Sequence, residues 1–141
     1  MMVSAVKIRE LSVPEVVELG SENILLDCDF DYDAGERVQL DIKWYFNNEP
    51  TPFYQWVPEK MSRPQIIGDK FQNHVDLDHE VLHQDTHKKH RALLLKKPTT
   101  QLSGLYTCKV STFISEDIRR KRMIVYCKYI IYFILFPLVL G

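Results

Sequence analysis

The chain has 141 residues, 45% hydrophobic and 26% charged, with a formal net charge of -1. That suits one domain with a packed core and excludes a disordered chain. It also excludes a global field for nucleic acid or an acidic membrane surface.

Read in chain order, the body predicts strands. The N-terminal MMVSAVKIRE lacks the roughly 7 to 15-residue apolar run of a secretory signal peptide. Val6–Leu11 opens the series of strands, and the turn Leu19-Gly20-Ser21-Glu22 leads to Asn23–Phe30. There Ile24, Leu26, Cys28 and Phe30 fall on one face, because side chains alternate along a strand. Asp33-Ala34-Gly35 precedes Gln39–Phe46, where Ile42, Trp44 and Phe46 share a face. Asn47-Asn48-Glu49-Pro50 turns the chain into Phe53–Val57, and Ile67-Gly68-Asp69 precedes His74–Val81. A polar stretch, Gln84–Lys89, reads as the turn of a hairpin whose second arm is Arg91–Leu95. After Lys97-Pro98-Thr99 comes Leu105–Thr112, with Tyr106, Cys108 and Val110 on one face. The basic run Arg119-Arg120-Lys121-Arg122 then reads as a solvated entry to the last strand, Arg122–Tyr126. No window of about 12 residues in the body shows a capped helical stripe.

Many short strands with regular turns predict an all-β, two-sheet antiparallel sandwich over residues 3–126. Cys28, Trp44, Tyr106 and Cys108 sharpen this, each on the apolar face of its own strand. A Cys, a Trp and a Tyr-x-Cys in that order form the signature of a variable-type immunoglobulin domain. In it Cys28 and Cys108 bridge the two sheets over the Trp44 indole, and the Tyr106 hydroxyl bonds back to the backbone upstream. Cys127 is left without a partner in that framework.

Several longer segments carry a family resemblance: IRELSVPEVVELGSENILLDCDFDY, IKWYFNN, FYQWVP, HRALLL, LSGLYTCKVST and STFISEDIRRKRMIVY. From about Val6 to Tyr126 the chain resembles the insect beaten-path immunoglobulin proteins and their arthropod relatives. Known members are secreted or membrane-anchored neuronal surface proteins, and several bind partner immunoglobulin receptors in axon guidance. The resemblance implies cell-surface or extracellular recognition of another immunoglobulin-type protein. The chain departs from the variable-domain pattern at Leu102, where an Asp paired with an Arg is usual. It departs again after Tyr126, where the family continues with polar sequence: Tyr129 to Gly141, YIIYFILFPLVLG, is wholly apolar. Thirteen helical residues span about 20 Å, short of the roughly 30 Å hydrocarbon core, and Pro137 would disturb a helix. Residues 127–141 therefore read as a truncated membrane segment or a translated extension, which leaves membrane attachment through residues 129–141 open.

Two site hypotheses compete. His79-Glu80-Val81-Leu82-His83 matches H-E-x-x-H, which on a helix presents two zinc ligands and a general base, as in a metallopeptidase. On a strand, however, His79 and His83 would lie about 13 Å apart, too far to share one ion. The stretch reads instead as part of a solvent-facing hairpin that collects all five histidines, His74, His79, His83, His87 and His90. No catalytic residue, metal ligand, cofactor or nucleic-acid site is assigned. The second hypothesis is a protein-binding sheet face. Lys43 and Tyr45 alternate with Trp44, and Thr107 and Lys109 alternate with Tyr106 and Cys108, so these four face outward. The strand Phe53-Tyr54-Gln55-Trp56 must expose either Phe53 with Gln55 or Tyr54 with Trp56; Tyr54 and Trp56 are expected to face outward, giving a face rich in hot-spot residue types. A purely structural module of a larger chain is the third reading.

Overall fold

The computed structural model describes residues 5–128. Ten strands form two sheets. Strands β1 (Lys7–Ser12), β3 (Asn23–Asp31), β8 (Leu93–Lys96) and β7 (Val75–Asp76) lie in that order in one. The other has six: β2 (Val16–Glu18), β10 (Glu116–Tyr126), β9 (Gly104–Ser111), β4 (Asp41–Phe46), β5 (Tyr54–Trp56) and β6 (Gln65–Ile66). All neighbours are antiparallel except β2, which runs parallel to β10. The core lies between the sheets and is built from the alternate residues the sequence marks as apolar.

The alternation holds cleanly in β3 and β4, where Ile24, Leu26, Cys28 and Phe30 face Ile42, Trp44 and Phe46 across the sandwich. In β1 it slips by one residue. Ile8 pairs with Phe30 and Glu10 with Asp29, which leaves Arg9 as a bulge. The bulge resets the phase so that Ile8 and Leu11, three apart, are both buried.

Several expected strands differ in extent. The segment Gln39–Phe46 begins as strand only at Asp41, because Ala34–Gln39 forms a 3₁₀ turn capped by the Asp33 side chain. His74–Val81 keeps only Val75–Asp76, paired with Leu95 and Leu94 as the hairpin reading requires. Two short strands, β2 and β6, had no signal, being three and two residues long. The last strand is far longer than Arg122–Tyr126, and the basic run lies inside it. Arg119 to Arg122 pair with Cys108 to Leu105 on β9, so this run is not a strand entry.

One turn is fixed by close approach. Asn47 and Asn48 both adopt positive φ, which asparagine tolerates better than most residues. The Asn47 side-chain oxygen accepts the Leu105 amide at 2.9 Å, lying where a Cβ on Gly104 would fall. Only glycine fits there.

Among the described residues no helix is long and apolar enough to cross a membrane. The apolar run Tyr129–Gly141 lies outside the described residues.

Candidate binding face

The central frame is as the signature requires. Cys28 and Cys108 form a disulfide between the sheets, with Cα atoms 6.4 Å apart. Trp44 packs in the same core, and its Nε1–H donates to the Arg91 carbonyl at 3.3 Å. The Tyr106 hydroxyl donates to the Leu102 carbonyl at 2.7 Å, and burial pushes its pKa well above the ordinary phenol value. Leu102 itself is buried, so hydrocarbon occupies the position of the usual Asp.

Outside this frame, the exposed surface of the six-stranded sheet is built by register. Tyr45 and Arg120 flank Thr107, and Lys43 lies opposite Lys109. Directly opposed residues share a face, so Lys43, Tyr45, Thr107 and Lys109 lie on the same side of the sheet. Thr107 is buried beneath its neighbours while the other three are half-buried. Lys43 is paired with Asp41 at 3.4 Å, and Asp41 also accepts from the Gln55 amide. The Glu116 carboxylate at 3.1 Å from Lys109 raises the pKa of that ammonium group. Tyr45, Asn48, Glu49, Thr107, Lys109, Ile118 and Arg120 together line a shallow hollow of about 220 Å³. Ile118, 40% exposed, has no marker in the sequence because the basic run that follows it reads as a solvated strand entry and Ile118 falls outside the expected strand.

Tyr54 and Trp56 do not join this face. They are 1% and 2% exposed. The register explains it: Trp56 pairs with Ile42 and Tyr54 with Trp44, so both point into the core beside the residues they oppose. Their polar tips are satisfied there. The Tyr54 hydroxyl donates to the His90 carbonyl at 2.7 Å, and the Trp56 Nε1–H to the Met61 carbonyl at 2.9 Å. Phe53, just before the strand, is buried as well and stacks on Phe71 at 3.9 Å. A window of three buried aromatics in four residues has no alternation from which its outward side could be read. Only Gln55 of that strand lies on the outer face, opposite Lys43.

The H-E-x-x-H stretch itself, His79 to His83, is neither helix nor strand. After Asp76 the chain leaves the sheet, and His79 to His83 run as irregular loop. The helical spacing that would bring two imidazoles onto one ion is absent, and no group of three or more candidate ligands converges among the described residues. Four of the five imidazoles make separate contacts. His74 Nδ1–H donates to the Lys96 carbonyl, and His83 Nδ1 accepts the Asp85 amide. His87 sits between Arg37, which donates to its Nδ1 at 3.0 Å, and Glu59. Asp85 beside it is partly buried, yet donors from Tyr32, the His87 amide and Arg37 outweigh that cost and hold its carboxyl below the ordinary range. Burial and the same carboxylate push the Tyr32 hydroxyl up to about 12.

His90 departs most from the expected exposed set. It is buried, packs edge-on against Trp56 at 5.0 Å, and its Nδ1–H donates to the His79 carbonyl at 3.0 Å. Burial lowers its pKa below 6.5, because the charged ring loses water. A folded-state pKa below the unfolded one means that the unfolded chain binds more protons. Stability is then full above about pH 6.5 and is lost as pH falls from there through the lower folded value. His90→Asn keeps a donor near the Nδ1 position without titrating. We expect its urea midpoint to fall less between pH 7.5 and pH 5 than that of the parent protein; parallel shifts would remove His90 from the acid response.

No family model matches the chain, and no curated protein matches it. Among 1165 matching solved chains is the IgV-like domain of human B7-H4, which has a TM-score of 0.56 at 16% identity. That match covers 88% of this chain and 96% of the other. The chain thus has the two-sheet fold of a variable-type immunoglobulin domain.

Proposed function

We propose that this domain recognises another protein at a cell surface through the outer face of its six-stranded sheet, and that it performs no catalysis. The observation that carries this reading is the hollow around Tyr45. It sets a half-buried tyrosine beside exposed Ile118 on a flat, hydrogen-bonded sheet, with Lys109 and Arg120 of one sign and Glu49 of the other at its rim. A tyrosine with an apolar neighbour and a polar rim has the composition of a binding hot spot. The Cys28–Cys108 bond supports an oxidising, extracellular setting. The sequence resemblance to beaten-path proteins supports an immunoglobulin-type receptor as partner, in adhesion or axon guidance.

The binding residues on this reading are Lys43, Tyr45, Thr107 and Lys109, joined by Ile118 and Arg120. A screen of the chain against extracellular immunoglobulin proteins tests it. Tyr45→Ala and Ile118→Asp are each expected to weaken the recovered complex by about 30-fold or more, the scale of a hot spot. Leu25→Ala, on the opposite sheet, should leave it unchanged. Binding indifferent to both face variants would sink the reading.

A further inference from the structure

Four consecutive cations, Arg119, Arg120, Lys121 and Arg122, occupy the middle of β10, and all four are exposed. Among the described residues none of them joins an ion pair, whereas Arg9, Arg37, Arg91 and Lys109 are each held by a carboxylate. The concentration is local. Without these four, the chain carries fourteen Lys and Arg against nineteen Asp and Glu.

Their backbone is rigid, because β9 pairs with every one of them. The other edge of β10 is taken by β2 only at Ile124 to Tyr126, so no strand pairs with the edge beside the four cations; β1 approaches it before them, where the Ile8 amide donates to the Asp117 carboxylate. Side chains alternate, which places Arg120 and Arg122 on the outer sheet face and Arg119 and Lys121 on the opposite side. The charges therefore straddle an open strand edge over about 10 Å. Charged residues on an edge also discourage strand addition, but one inward lysine suffices for that. Four neighbouring like charges with no counter-ion repel one another, and an anionic ligand would relieve them. Lys121 and Arg122 line an open groove of about 450 Å³ with Val13, Val16 and Ile124, and Glu15 sits at its rim.

We infer that this edge binds a linear sulfated polysaccharide of the cell surface or matrix. A linear row of cations on a groove without walls suits a polyanion lying along the strand, not an enclosed small anion. The disulfide supports an extracellular setting, where such chains occur and nucleic acid does not compete. The run also has no interleaved aromatic on which a base would stack. An acidic protein docked on the outer face would reach Arg120 and Arg122 only. A flexible chain draped over the edge reaches all four.

The test uses immobilised heparin as probe and the full chain. Binding at 0.15 M NaCl is expected, weakening steeply with added salt. Arg119→Gln/Lys121→Gln and Arg120→Gln/Arg122→Gln should each cost about tenfold or more in affinity, and the quadruple variant should abolish capture. Lys96→Gln/Lys97→Gln, equal in charge but at the end of β8 in the other sheet and the turn after it, should not matter. Circular dichroism confirms folding of each variant, and the two double variants decide the matter if the quadruple one is unfolded. No capture, equal losses in the Lys96/Lys97 control, or capture lost only with Arg120 and Arg122 and matched by poly-glutamate would overturn the inference. The last result would assign the run to an acidic protein.

Discussion

Trp56→Ala is expected to cost about 3–5 kcal/mol of folding stability, the scale of removing a buried aromatic from a core. That is a large share of the roughly 5–15 kcal/mol of a small domain. The indole is enclosed, its N–H is committed to the Met61 carbonyl, and it packs in a T-shaped pair with the His90 ring. Truncation leaves a cavity and an unpaired carbonyl together. Tyr45→Ala, one residue from Trp44, the cross-strand partner of Tyr54, should cost well under about 1 kcal/mol because its half-buried ring stands on the outer face of the sheet. Chemical denaturation of the two variants side by side separates them. If Trp56→Ala unfolds at the parent midpoint while abolishing partner binding, the side chain belongs to the interface after all.

The second large effect concerns the bridge between the sheets. Cys28 and Cys108 are 80 residues apart in sequence. Closing a loop of that size restricts the unfolded chain by about 4–5 kcal/mol in the chain-entropy model. Cys28→Ala/Cys108→Ala should therefore lower the urea midpoint by the largest step of any conservative pair here, and reductant should reproduce that step in the parent protein alone. A parent midpoint insensitive to reductant would show that packing around Trp44 holds the sheets without the bond.

The frame was legible in the sequence because it is written in period two. Ile24 to Phe30 and Ile42 to Phe46 alternate in burial without a break, Tyr106 to Val110 breaks only at buried Thr107, and each strand stands close to where the pattern puts it. Where the period failed, so did the reading. Phe53, Tyr54 and Trp56 gave no phase, and their direction is decided by pairing with Ile42 and Trp44, a long-range fact. The basic run hid a strand for a related reason: exposed charges carry no hydrophobic period, and only pairing with β9 makes Arg119 to Arg122 extended. H-E-x-x-H illustrates the reverse hazard. The letters carry zinc chemistry only on a helix, and here the chain around His79 is shaped by the Asp76 and Lys89 backbones and by buried His90.

Four of the six residues of the candidate site were visible as alternation around three core residues. Lys43, Tyr45, Thr107 and Lys109 follow from Trp44, Tyr106 and Cys108 alone. Ile118 and Arg120 enter through the third strand, whose register no local pattern encodes.

The latch at Gly104 bears on how such a face would meet a partner. Asn47 grips the Leu105 amide through space that any side chain at Gly104 would fill, so β4 and β9 cannot slide past one another. A slip of one residue would turn Tyr45 inward and break the row it shares with Thr107 and Arg120. The hollow is thus set before any encounter. Association then has little ordering to do, and the barrier that remains is one of orientation, in which two rigid surfaces must find each other the right way round.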